Sequence, residues 1–232
     1  MFNSPEFFIG VVETVDQDKD KLGRVKVREL LGHSNRVDTE QLFDATLLMP
    51  VTSSSVAGVG TSPTWLLPGS QVLGVKFGDK NIYVFGTFSL DSPTTGHSVS
   101  PQARGEGPIE KEYIEELGEK KTEYATQYPY NKTITTRAGH LIEIDDTPKA
   151  ERLHVYHKSG SYLEIFPDGS IVTKSMKDST SVTINDHAIS VVRGDLQIVA
   201  NEGKIQINAD KDIDIVSKTV VNIRAPIVGI NG

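Results

Sequence analysis

The side chains able to do chemistry are few and thinly spread. His140, Glu143 and Asp145 come closest to a metal or hydrolytic cluster. On a strand, however, 143 and 145 face one side and 140 the other, so the set divides and turn-flanking polar residues are the better reading. His154 and His157 are three apart rather than a His-x-His pair, and no histidine lies beyond His187. Ser54 and Ser55 lack a Gly-x-Ser-x-Gly setting and an obvious base. Gly58-Val59-Gly60 is followed by no Gly-Lys-Ser/Thr and no helix, so it is no phosphate loop. Glu115 and Glu116 are adjacent and point in different directions on a helix, which makes them a solvated face rather than an acid/base pair. Trp65, the single tryptophan, is a plug over a barrel or an anchor for a partner protein rather than a sugar platform. The residues therefore predict no catalytic, cofactor-binding or metal site, and no enzyme.

Composition narrows the classes further. With 31 acidic against 24 Lys and Arg residues the net charge is −7, which argues against nucleic acid as a partner, since phosphate needs basic patches. Cysteine is absent, so neither disulfides nor thiolate metal sites are available. No apolar run approaches a membrane span, and Met1-Phe2-Asn3-Ser4-Pro5-Glu6 carries no signal-peptide pattern. The expectation is a chain made in the cytoplasm that leaves only as part of an assembly.

The elements that must position any site are strands. Residues 7–16, 22–28, 47–51, 70–77 and 82–88 read as five short strands, with a small-residue stretch at 52–63 between the third and fourth. Five strands and a long central loop predict an oligonucleotide/oligosaccharide-binding (OB) barrel over residues 1–90. Arg24, Lys26 and Arg28 alternate on one face of the second strand and lie near Asp16, Asp18, Asp20 and Glu29. That is a solvated side rather than the aromatic and basic mixture of a single-strand-binding surface.

Residues 91–127 form a linker, first rich in Pro, Gly, Ser and Thr and then charged. Ile109, Tyr113 and Leu117 at spacing four predict one short amphipathic helix there. A β-meander neck follows over 128–180, with strands at 132–137, 140–145, 152–157, 162–166 and 170–174 and turns at Ala138-Gly139, Asp146-Thr147-Pro148, Ser159-Gly160 and Pro167-Asp168-Gly169.

Residues 181–232 are organised differently. Apolar residues come in pairs two apart: Val182/Ile184, Ile189/Val191, Leu196/Ile198, Ile205/Ile207, Ile213/Ile215, Val221/Ile223 and Val228/Ile230. Each pair steps to the next by seven to nine residues, with turn-forming residues between. This is a repeat architecture. A coil of about eight residues is too short to enclose a core within one chain. Three chains wound about one axis would bring the rows together and remove exposed strand edges. The fold class expected is all-β: an OB barrel followed by an intertwined trimeric β-helix, or β-prism, needle. Its trimer core would be Val182, Ile184, Ile189, Val191, Ile198, Ile205, Ile207, Ile213, Ile215, Val221 and Ile223, with a tip at Ile227, Val228 and Ile230. An antiparallel meander in a sandwich is the plainer alternative, weakened by the regularity of the pairs and the lack of aromatics.

Tyr128-Pro129-Tyr130-Asn131, Gly139-His140-x-Ile142-Glu143-x-Asp145-Asp146-Thr147-Pro148, Arg152, His157-x-Ser159-Gly160-Ser161-Tyr162 and Pro167-Asp168-Gly169 resemble the start of the needle in cell-puncturing central spikes of contractile phage tails. These spikes are related to the valine-glycine-repeat spikes of type VI secretion. Residues 8–13, 22–28 and 49–53 resemble the OB domain of the same family, so the likeness covers nearly the whole chain in order. The resemblance implies a homotrimer in the tail baseplate of the virion, assembled in the host cytoplasm. A ring-shaped hub protein would bind the OB domain, with Trp65 as a possible contact, and the needle would face the host outer membrane. The T-even type carries a lysozyme domain between barrel and needle; only the linker fills that gap here, so no muralytic activity is expected. Val-x-Gly repeats and a His-x-His iron tip are also missing. The apolar end therefore suggests a separate PAAR-type (proline-alanine-alanine-arginine) tip-capping protein and no metal or cofactor. The function expected is a structural membrane-piercing spike. The alternative is a trimeric β-helical polysaccharide-binding or polysaccharide-degrading tail protein, which would display carboxylates and aromatics in a groove; after Phe166 there is no Trp, Tyr or Phe to line one.

Overall fold

A computed structural model describes residues 4–20, 23–32, 36–51, 53–54, 65–78, 80–88, 125–127 and 130–226. The chain forms two compact units, Met1–Ser179 and Thr180–Gly232. The expected helix at 109–117, most of the small-residue stretch and the tip residues lie outside the described residues.

Strands β1 (Glu6–Thr14), β2 (Arg24–Glu29), β3 (Phe43–Leu47), β4 (Gln71–Phe77) and β5 (Asn81–Phe88) close a barrel in the order β1-β2-β3-β5-β4. The β3–β5 pair is parallel and closes the barrel; the other pairs are antiparallel. Alternation puts Phe8, Val12, Val25, Val27, Ala45, Val72, Ile82 and Val84 inside, as a half-buried strand dictates. The third strand lies four residues earlier than the sequence reading placed it. Val27 pairs with Phe43 and Val25 with Ala45, while Pro50, which has no N–H for a ladder, instead accepts from Ser53 in a turn. A short 3-10 turn at Thr39–Gln41 precedes that strand.

The outer face of β2 does carry Arg24, Lys26 and Arg28, and each has an acidic partner. Arg24 meets Asp18 at 3.0 Å, Lys26 meets Asp44 at 3.1 Å and Arg28 meets Glu13 at 2.7 Å. Charge paired in this way is not offered to a phosphate backbone. Inside the barrel, Gly74 sits against the Phe8 ring and the Tyr83 carbonyl, closer than any Cβ could come.

The second sheet is a meander of β6 (Asn131–Thr135), β7 (Leu141–Asp145), β8 (Arg152–Tyr156), β9 (Tyr162–Ile165) and β10 (Ile171–Lys174), each paired antiparallel with the next. Gly139, Gly160 and Gly169 supply the positive φ that its tight turns need, at 90°, 96° and 81°.

From Ser175 to Pro226 every residue is exposed and no strand is assigned. A strand rests on a backbone ladder, and among the described residues these segments have no neighbour to form one with.

Replacing Gly74 with Ala forces the Phe8 ring or the β5 backbone to move. The barrel should lose about 1–3 kcal/mol, read as a lower denaturant midpoint with an unchanged slope.

Candidate functional site

The neck sheet has two unlike faces. Its register aligns Ile134, Ile142, Val155, Leu163 and Thr173 in one cross-strand row and Lys132, Ile144, Leu153, Ile165 and Ile171 in the next. Ile134, Ile142, Ile144, Leu153, Val155, Leu163 and Ile171 are 40–63% exposed. The other face carries Glu143, Asp145, Arg152, His154 and Glu164, all buried. An ordinary one-sided sheet covers its apolar face and wets its polar one; this sheet buries its charged residues together with Leu141 and Tyr156 and leaves an almost wholly aliphatic face open.

The buried face is held by hydrogen bonds to charge. Arg152 Nη2 donates to Glu143 Oε2 at 2.5 Å and Nη1 to Glu164 Oε1 at 2.9 Å, so one guanidinium spans β7, β8 and β9. Asn131 Nδ2 donates to Glu143 Oε1 at 2.7 Å. Asp145 accepts from the Thr147 backbone N–H at 2.9 Å and from the Thr126 hydroxyl at 2.7 Å. Burial alone would raise the Glu143 carboxyl, but the Arg152 guanidinium and the Asn131 amide, both hydrogen-bonded to it, hold Glu143 below the usual carboxylate range. For Asp145 burial likewise opposes charge, and Thr147, Thr126 and Arg152 reverse the balance. Asp145 does flank the β7–β8 turn, as the sequence suggested, but buried; Glu143 lies within β7 as a buried member of the Arg152 network. His154 Nδ1 lies 3.8 Å from Glu143 Oε2, too far for a hydrogen bond, and both ring nitrogens are without a hydrogen-bond partner among the described residues.

His140 is drawn away from Glu143 and Asp145 and packs on His157, ring centroids 4.4 Å apart. Among the described residues no group of three or more His, Asp or Glu is arranged to hold a metal. Trp65 is 62% exposed, which does not fit a plug over the barrel; the next residue, Leu66, packs against the barrel core. The eleven residues Val182, Ile184, Ile189, Val191, Ile198, Ile205, Ile207, Ile213, Ile215, Val221 and Ile223 are 44–98% exposed within the chain. Ile227, Val228 and Ile230 lie outside the described residues. Apolar exposure on this scale, on the neck and in the following unit, is the signature of interaction surface. The arrangement is suited to burying surface against other polypeptide.

Residues 26–97 match the family described as the Gp5 N-terminal OB domain. Protein Gp5 of Vibrio phage KVP40 is 29% identical over 264 aligned residues, which cover 83% of this chain and 62% of that protein. The pre-baseplate central spike protein Gp5 of Enterobacteria phage T4 is 34% identical over 87 residues, 38% of this chain and 15% of that protein. The chain thus spans less than two thirds of the length of either relative. The family match and these relatives support the likeness to a baseplate central spike drawn from the sequence motifs.

Removing one partner of a buried ion network leaves the others uncompensated, so Arg152→Ala should destabilise the neck by about 3–5 kcal/mol, measured by chemical denaturation. Because Glu143 and Asp145 titrate lower when folded than when unfolded, their contribution is fully present above about pH 4–5. It is lost as the pH falls through their folded values. Melting temperature should therefore be flat near neutrality and drop below about pH 4, and Asp145→Asn should make that drop shallower.

Proposed function

We propose that the chain is the structural, non-enzymatic spike at the centre of a contractile tail baseplate, acting as a homotrimer that pierces the host outer membrane. The observation that carries this reading is the ladder-free run from Ser175 to Pro226, whose Ile and Val rows are exposed in one chain. Unpaired strand backbone and regularly spaced apolar side chains demand a partner. Copies of the same chain satisfy both at once. The Gp5-type OB match and the central spike relative support the place of that trimer in a virion tail.

In the assembled needle the axial Ile and Val rows exclude water, and interchain hydrogen bonds make the shaft stiff along its axis. Force delivered by a contracting sheath would pass down the prism without local unfolding. No proton, metal or nucleophile takes part. The OB barrel is the part we assign to a ring-shaped hub, with exposed Trp65 as a contact. Ile227, Val228 and Ile230 are assigned to a PAAR-type cap.

Because folding of the shaft requires association, stability is linked to assembly. Light scattering should give a mass near three chains that persists in SDS at room temperature. Ile207→Asp would set three like charges on the axis and abolish the trimer. A monomeric wild-type chain, or an Ile207→Asp variant that remains an SDS-resistant trimer, would overturn the reading.

A further inference from the structure

We infer that the neck sheet is the registration element of the needle: three copies meet first through the apolar face of β6–β10, and that contact sets the level at which the shaft strands pair. The inference rests on the trimeric reading above and adds to it an order of events and a function for the neck.

The shaft alone cannot define its own register. Its Val/Ile pairs recur every seven to nine residues and are nearly alike, so chains displaced by one repeat still place apolar side chains on apolar side chains. Such slipped states lie close in energy to the correct one, a weakly specified pairing of the kind that traps repetitive strands. A non-repeating element must break the degeneracy.

The neck meets that requirement. It is complete within one chain: its five strands are joined in sequence order by tight turns, and its charged face is already closed by Arg152, Glu143 and Glu164. Local hairpins of this kind form before pairings between distant or separate segments. The face left open is apolar, with Lys132 at its β6 edge the one charge in the two rows. That face is not repetitive, since its two cross-strand rows differ in side chain at nearly every position.

A second and third copy of this chain are the occupants that connectivity favours. Only eight positions separate Lys174, the end of β10, from Val182, the first shaft row. Extended, that tether reaches about 30 Å. Chains that share a shaft must therefore bring their neck sheets together, and necks joined in one orientation deliver three shaft starts at one level.

The test uses the full chain, unfolded in denaturant and refolded, in three forms: wild type, Leu153→Ala on the neck face, and Ile213→Ala in the shaft. Formation of SDS-resistant trimer gives the assembly rate, and loss of that trimer in denaturant gives the unfolding rate. Leu153→Ala should slow assembly about tenfold or more while changing unfolding little; Ile213→Ala should do the opposite, as expected when one region is formed in the transition state and the other later. Since the chain has no cysteine, one spin label on Asn208→Cys reports register directly. It should give a single interchain distance in the wild type and Ile213→Ala backgrounds, and additional distances in the Leu153→Ala background. Slow assembly in Ile213→Ala with normal assembly in Leu153→Ala would overturn the inference and leave the trimer standing. An unaffected Leu153→Ala, in rate and in label distance, would mean that the neck face serves some other partner and would also overturn it. A wild-type chain that forms no trimer would instead remove the functional reading beneath it.

Discussion

The bridge from Arg152 to Glu143 and Glu164 is the interaction on which the rest of the neck depends. A five-stranded sheet must choose which face to cover. With a guanidinium donating to carboxylates on both flanking strands, and Asn131 satisfying a further oxygen, the charged face is hydrogen-bonded inside one chain. Apolar substitution of such a network is often neutral or stabilising in a monomer. Its presence here has another effect: it leaves Ile142, Ile144, Leu153 and Val155 on the open side. The neck's strand order and register are thus fixed within one chain, while its aliphatic face has no cover among the described residues.

The barrel and the residues after Ser175 answer the same question differently. Every barrel strand finds two neighbours in its own chain, and the parallel β3–β5 pair closes the ring, so no edge is left for another chain to extend. The described residues after Ser175 are in no assigned strand and are exposed throughout. The neck lies between these extremes: its ladders are internal and its apolar burial is not. Along the chain, the share of apolar surface left open among the described residues thus rises from the barrel, through the neck, to the residues after Ser175.

How much of this was legible depends on which residues carried the signal. The barrel could be read because Val25 and Val27 alternate with Arg24, Lys26 and Arg28, and alternation maps directly onto inside and outside. The third strand was misplaced because Leu47-Leu48-Met49-Pro50-Val51 is more apolar than Phe43-Asp44-Ala45-Thr46-Leu47. Pairing, not hydrophobicity, decided there, and the small Ala45 is the residue fully enclosed. Trp65 was open to two readings because size predicts burial only where neighbours exist to supply it; among the described residues Leu66 packs on the barrel core while Trp65 stays largely exposed.

The buried acids of the neck were missed for a more general reason. Reading a strand by hydrophobic period assumes that its apolar face is the covered one, an assumption that holds only for a protein complete in one chain. The contrary signal was present. Counting outward from the turn between Asp145 and Arg152, those two residues fall opposite one another, and Glu143 falls opposite His154. Complementary groups thus recur at matching steps on two adjacent strands, with aliphatic residues at matching steps between them. Acid and base facing each other across a hairpin mark a face able to close on itself, and an aliphatic face opposite it then has nothing left in its own chain to pack against. Where such a hairpin is followed by a strand repeat too short to enclose a core, burial between copies, as proposed above, is one physical solution that serves both features.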